Sequence, residues 1–229
     1  MIISGKHFLE TLKNPDRCGH NIVFLGMSGT GKTHWSKVLA ERFNIPRIEI
    51  DEVIGNSKEI MELIKHIPGK DHAERMGKYF GMPWEEGFRE KEAHFLEIEK
   101  KILSRDLPPG AVIDLTGSSI YHEEEMRKIA DNALVIVLET SPEAKKEMLH
   151  IYLSNPKPVC WNGTFEKKEG ESDKEALERC YPLLLKHREE LYSRYANVKL
   201  EYNVHKKLKD INQFIEEVAR RLDAAYKEG

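Results

Sequence analysis

The sequence predicts an α/β fold, a parallel sheet with helices over both faces. Three observations predict it. The apolar runs Ile22-Val23-Phe24-Leu25, Ala111-Val112-Ile113-Asp114-Leu115 and Leu134-Val135-Ile136-Val137-Leu138 lack the alternation of a half-exposed strand, so they read as strands buried on both faces. Between them lie stretches with apolar residues at helical spacing, the strand-and-helix alternation that builds parallel sheets. A glycine-rich turn, Gly26-Met27-Ser28-Gly29-Thr30-Gly31-Lys32-Thr33, joins the first of these strands directly to a helix.

Taken in order, Ser4 to Leu12 predicts a short helix ended by Asn14-Pro15-Asp16. The helix after the glycine-rich turn presents Trp35, Val38, Leu39 and Phe43 on one side. Pro46 then punctuates, and Arg47-Ile48-Glu49-Ile50 reads as a second short strand ending at Asp51. Glu59 to Ile67 predicts a helix stopped by Pro68-Gly69, while Lys70 to Met82 gives no clear pattern. Pro83 to Ser104 predicts a long helix with Phe88, Phe95, Ile98 and Ile102 on one face and Pro83 in its first turn.

Pro108-Pro109-Gly110 breaks the chain before the strand at Ala111, and Glu123 to Ala130 reads as helix before the strand at Leu134. Ser141-Pro142-Glu143 has the order of an N-cap, an N1 proline and an acidic first turn, and the helix it opens runs to about Leu153. Residues 154–173 have loop composition, and a loop this long in a compact domain points to a lid. Lys174 to Tyr195 predicts a helix kinked at Pro182, Val198 to Tyr202 a last strand, and Ile211, Phe214, Ile215, Val218 and Leu222 the closing amphipathic helix.

The spacing from Gly26 to Thr33 matches G-x-x-x-x-G-K-[ST] in the strand–turn–helix context that gives the pattern meaning. Glycines let the backbone N–H groups of Gly26, Ser28, Gly29, Thr30 and Gly31 converge on phosphate oxygens, and the helix N-terminus adds unpaired donors. Lys32 is expected to reach the β- and γ-phosphates of ATP, and the Thr33 hydroxyl to join a Mg²⁺ shell. In an open parallel sheet ligands bind beyond the carboxyl ends of the strands, where Gly26, Asp51 and Thr116 fall.

Composition narrows the function classes. In 229 residues, 36 Lys and Arg nearly balance 39 Asp and Glu, so no global field favours nucleic acid or a membrane surface. No apolar stretch approaches the ~20 residues of a membrane span, and the N-terminus lacks a secretory pattern. Cys18, Cys160 and Cys180 have no C-x-x-C spacing and are odd in number, which predicts reduced thiols and a cytoplasmic protein. The oligomeric state is not legible.

Taken singly, Asp51 at a strand end is open to two readings, helix cap or active-site group, and Arg89 reads as a surface arginine. Taken together, the loop, Ile50-Asp51-Glu52-Val53-Ile54 and Glu85-Glu86-Gly87-Phe88-Arg89-Glu90-Lys91-Glu92 resemble the shikimate kinase family in order and spacing. The resemblance continues through Thr116-Gly117, Val137-Leu138-Glu139-Thr140, Lys157-Pro158 and Arg188-Glu189-Glu190-Leu191-Tyr192. It implies strand order 2-3-1-4-5 in a three-layer sandwich with a mobile lid, residues 1–20 as an extension and 21–229 as one kinase domain. It implies a small-molecule acceptor whose hydroxyl Asp51 holds and deprotonates, whose carboxylate Arg89 and Arg188 grip, and whose ring lies at Gly117. Lys157 falls where the family has a lid arginine at the transferring phosphoryl group.

The chain departs from the family pattern in several places, among them a longer lid with Trp161 and Phe165, suited to cover a ligand or to pin the loop. Gly117-Ser118-Ser119 replaces a run of glycines, the lid cation is a lysine, and Glu49 stands where an aspartate is usual. Asp114 is additional; at the end of its strand it is suited to serve Mg²⁺ as a Walker B carboxylate does, or to cap the Thr116-Gly117 turn. The expected function is Mg·ATP-dependent phosphorylation of a hydroxyl on a small carboxylated metabolite, shikimate first. The alternatives are a related kinase acting on a sugar acid or nucleoside, and a nucleotide-binding regulatory protein with little transfer activity.

Overall fold

A computed structural model describes residues 4–14, 19–154 and 158–228, with Glu228 described by its backbone only. In chain order the elements are α1 (Gly5–Lys13), β1 (Asn21–Gly26), α2 (Lys32–Phe43), β2 (Arg47–Glu49), α3 (Ile50–Gly55), α4 (Lys58–Ile64), α5 (His72–Phe80), α6 (Phe88–Leu103) and β3 (Val112–Asp114). There follow a 3-10 turn at Ser119–Tyr121, then α7 (Glu123–Asp131), β4 (Ala133–Leu138), α8 (Pro142–Ser154), α9 (Asp173–Tyr195), β5 (Val198–Leu200), α10 (Tyr202–His205) and α11 (Ile211–Glu228). The strands form a five-stranded sheet, ordered β2-β3-β1-β4-β5, in which each neighbouring pair runs parallel. Among the described residues, no helix is long and apolar enough to cross a membrane.

The chain divides into two compact units, Met1–Asp51 with Arg105–Ser141 and Glu189–Gly229, and Glu52–Ser104 with Pro142–Arg188. The first holds the sheet. Its central strands β1 and β4 are buried along their whole length, as runs without alternation require. Against them Phe24 stacks on Phe214 at 5.8 Å between centroids, and Phe214 on Trp35 at 4.5 Å, which ties β1, α11 and α2 into one core.

The N-terminal helix belongs to this core. Ser4 caps α1 by accepting from the His7 N–H at 3.2 Å, and Phe8 and Leu12 are each 1% exposed within the same apolar cluster as Phe214 and Val218. The Gly5 N–H donates to Asp223 at 2.8 Å, and a Cβ at Gly5 would come within 2.5 Å of the Ala219 carbonyl. Sequence left this segment without a role because its partners lie some two hundred residues away.

The second unit is helical. The unpatterned segment from Lys70 contains α5, capped by Asp71, whose carboxylate accepts from the Glu74 N–H at 2.8 Å. The helix expected from Pro83 begins instead at Phe88, because Gly87 sits in the left-handed region at φ 76° and the residues from Met82 to Phe88 close successive turns. Phe80, Phe88 and Phe95 then pack edge to face, the two contacts spanning 5.3 to 6.0 Å.

Docking of α1 predicts that Phe8→Ala removes one side of a filled core. The unfolding free energy should fall by about 3–5 kcal/mol, the usual cost of emptying a buried phenylalanine site. Chemical denaturation followed by circular dichroism checks it; a loss under about 1 kcal/mol would show that α1 contributes little beyond its own helicity.

Candidate active site

The glycine-rich turn is built by its neighbours in the sheet. Gly26 pairs with Leu138, and a Cβ there would come within 2.5 Å of the Leu138 carbonyl oxygen, so only glycine lets β1 end flush against β4. Gly29 and Gly31 hold φ of 78° and 105°, which a side chain would strain, and Gly31 is the N-cap of α2. The chain thus turns back over the start of α2, whose first N–H groups have no partners within the helix. Ser28 is exposed on this turn, while Thr30 is buried and donates its hydroxyl to the Met27 carbonyl at 2.9 Å.

Lys32, only 8% exposed, folds its ammonium onto the same Met27 carbonyl at 3.1 Å. A buried cation beside a glycine-rich turn that leads into a helix N-terminus has the chemistry of an anion site. Behind it the Thr33 hydroxyl donates to Asp114 Oδ2 at 2.7 Å. Asp114 is 3% exposed, and burial pushes its carboxyl above the ordinary range. The Lys32 charge opposes that rise most strongly, followed by the Thr33 hydrogen bond; nearby Glu49 adds to it, and Arg47 opposes it more weakly. Thr33, Asp114 and neighbouring Glu49 are oxygen donors, the chemistry of a hard divalent cation. Among the described residues no three His, Cys, Asp or Glu cluster to hold a metal by themselves. Mg²⁺ takes one or two protein carboxylates and completes its shell with phosphates and water.

Asp51 is exposed in the first turn of α3, since β2 ends at Glu49 and Ile50 already begins the helix. The turn at Gly117 is closed by its own side chains. Ser119 is fully buried with its hydroxyl 2.5 Å from that of Thr116, and the Thr116 oxygen also accepts the Ser119 N–H at 3.1 Å. Ser119 therefore turns inward, and Tyr192 holds the Gly117 carbonyl through a 2.9 Å bond from its hydroxyl. Tyr192, the last residue of the Arg-x-x-x-Tyr stretch, had no role from sequence and fastens this turn to α9.

The second unit carries Arg89 and Arg188, and their environments differ. Arg89 is exposed in the first turn of α6, whereas Arg188 on α9 is 7% exposed and donates to the Cys160 carbonyl at 2.6 Å. Lys157 lies outside the described residues. The part of the loop that follows it is well anchored: Trp161 is 1% exposed against Tyr152, Phe165 and Tyr181. Glu92, buried one turn along α6 from Arg89, accepts from the backbone N–H groups of Trp161 and Asn162, the latter at 3.0 Å. Burial also pushes the Tyr152 hydroxyl up to about 12. The Phe-Arg-x-x-Glu spacing was the signal that could have marked Glu92 as the anchor.

A protein-family model described as shikimate kinase matches residues 28–219. Relatives named shikimate kinase include one from Persephonella marina, 28% identical over 184 residues and covering 80% of this chain and 83% of its own length. Another, from Symbiobacterium thermophilum, is 28% identical over 61% of this chain and 72% of its own length. Among solved structures, shikimate kinase from Aquifex aeolicus superposes with a TM-score of 0.53 at 18% identity, over 91% of this chain and 99% of that one. The enzyme from Bacteroides thetaiotaomicron superposes with a TM-score of 0.51 at 19% identity, over 91% and 98%. At such identities the two structures speak for the fold, and the family model speaks for descent: from the loop that opens the site to the helix that closes the sheet, this chain belongs to the shikimate kinase family.

Proposed function

We propose that the protein is a Mg·ATP-dependent kinase that phosphorylates a hydroxyl of a small carboxylated metabolite, with shikimate the first acceptor to test. The observation that carries this reading is the phosphate loop, with Lys32 buried at its centre and Thr33 bonded to Asp114. Phosphoryl transfer asks a protein for position and charge more than for covalent chemistry. The backbone N–H groups of the loop and Lys32 bind the β- and γ-phosphates, for which Lys32 leaves the Met27 carbonyl. Mg²⁺, when bound, neutralises charge on the phosphate oxygens, and Thr33 with Asp114 is the pair suited to hold it.

Asp51 accepts the proton of the acceptor hydroxyl as its oxygen attacks the γ-phosphorus; the bond to the β-phosphate oxygen breaks and ADP leaves. Arg89 and Arg188 take the acceptor carboxylate, which a guanidinium matches with two parallel N–H groups. An arginine in the first turn of a helix gains nothing from the helix dipole, so a ligand role explains Arg89 better than helix stability does. Gly117 lines the acceptor ring, and on sequence grounds alone Lys157 neutralises the phosphoryl group in flight. Cys160 and Cys180, both buried thiols, suit a cytoplasmic location.

One observation favours a second reading, a kinase of the same reaction with a different hydroxy acid such as a sugar acid. Ser118 and Ser119 are both buried where the family has glycines, which reshapes the turn behind Gly117. Coupled ADP release over a panel of hydroxy acids and nucleosides decides between them. Turnover of shikimate alone supports the first reading, a better sugar acid the second, and a preferred neutral nucleoside overturns both.

Two substitutions test the roles. Lys32→Ala should abolish transfer and weaken ATP binding in calorimetry, and full affinity with normal turnover would remove the loop from the nucleotide site. Arg89→Ala removes a charge-assisted contact worth roughly 1.5–3 kcal/mol, so kcat/KM for the carboxylated acceptor should fall about ten- to hundredfold. ATP affinity should hold, Arg89→Lys should rescue poorly, and an acceptor lacking the carboxylate should be indifferent to the change.

A further inference from the structure

The sheet register brings a pair of carboxylates and an arginine together behind the phosphate loop. In β2 the two-residue period of a strand puts Arg47 and Glu49 on one face. The parallel register sets Glu49 beside Asp114 of β3. Two acids side by side, with side chains only 18% and 4% exposed, repel each other unless a cation joins them. Arg47 supplies that cation. Its Nη2 lies 2.6 Å from Glu49 Oε2 and 3.5 Å from Asp114 Oδ2, the oxygen that also accepts the Thr33 hydroxyl. Its Nε donates to Ser36 Oγ at 3.0 Å, and Ser36 donates in turn to the Thr33 carbonyl at 3.2 Å. The guanidinium is thereby held from both ends, on α2 and on the acid pair.

We propose that Arg47 is a positioning residue, the resident counter-ion of the Glu49–Asp114 pair, and that it keeps free divalent cations out until a nucleotide brings one. The proposal rests on the reading of the loop as a Mg·ATP site. A divalent cation approaching these acids without phosphates meets a pair already neutralised in part and a fixed positive charge a few ångströms away, an unfavourable encounter in a half-buried site. A nucleotide would change the balance, because its phosphates would contribute oxygen ligands and negative charge. Arg47 would then keep Glu49, its closer partner, and give up the longer contact with Asp114 when a nucleotide-bound cation arrives. An ion-pair network of purely structural value would stabilise the fold without setting the order in which metal and nucleotide arrive.

Thermal melting and calorimetry on the full chain separate these outcomes. Wild type should show almost no Mg²⁺-induced rise in Tm at millimolar Mg²⁺ without nucleotide, and a clear rise when ADP is added. Arg47→Met should melt lower without metal, respond to Mg²⁺ alone, and bind Mg²⁺ about tenfold or more tightly than wild type. Arg47→Lys keeps the charge but reaches fewer partners, so its Mg²⁺ affinity should fall between the two; it is also the variant to read if Arg47→Met does not fold. A lowered Tm with the wild-type Mg²⁺ response in whichever variant folds reduces Arg47 to a structural ion pair and overturns the proposal. A wild type that binds Mg²⁺ strongly without nucleotide overturns it as well. If wild type fails to bind ADP with Mg²⁺ present, the reading of the loop falls instead, whatever Arg47 does.

Discussion

The parallel register of the central strands is the constraint on which the rest depends. Phe24 of β1 pairs with Asp114 of β3, and Asp114 pairs with Glu49 of β2, so the strand ends finish as a stepped row. Along that row Gly26 reaches Leu138 of β4, and the phosphate loop starts where a side chain could not fit. A parallel sheet buried on both faces tolerates no slippage, because a one-residue shift would exchange every core side chain for its neighbour across the sheet. The placement of Thr33 against Asp114 is therefore inherited from strand pairing far from any ligand.

Around that row the first unit divides its polar groups by task. Those that shape the loops are satisfied internally: Thr30 on Met27, Ser119 on Thr116, Tyr192 on Gly117. Those proposed to meet a ligand are either exposed, as Asp51 is, or hold a neutral carbonyl that a phosphate would replace, as Lys32 does. Internal satisfaction makes the scaffold stiff, and replaceable contacts keep the charged groups from lying bare and desolvated in the meantime.

Much of the fold was legible because it follows from short-range pattern. The uninterrupted apolar runs marked β1 and β4, and the apolar spacing from Ile211 to Leu222 marked α11. The misreadings share one cause, backbone geometry that residue type signals weakly. Gly87 read as part of a helix although its positive φ starts one, and Asp71 was an unrecognised cap. In the candidate site, the glycine-rich loop was legible from its motif, and the place of Asp114 beside Thr33 from its position at a strand end. The contact of Arg47 with Glu49 and Asp114 was not, since it depends on a cross-strand neighbour that no local spacing reveals. Nor was the inward turn of Ser119, which depends on Thr116 offering it a partner.

Glu92 holds its loop by the main chain, accepting N–H groups from Trp161 and Asn162. An anchor that recognises backbone is indifferent to the side chain at Asn162 and to those beyond it, provided the chain can make the turn at Asn162 and Gly163. Loop sequence is thereby uncoupled from loop attachment. Descendants of this chain can exchange residues there without first inventing a new way to fasten the segment.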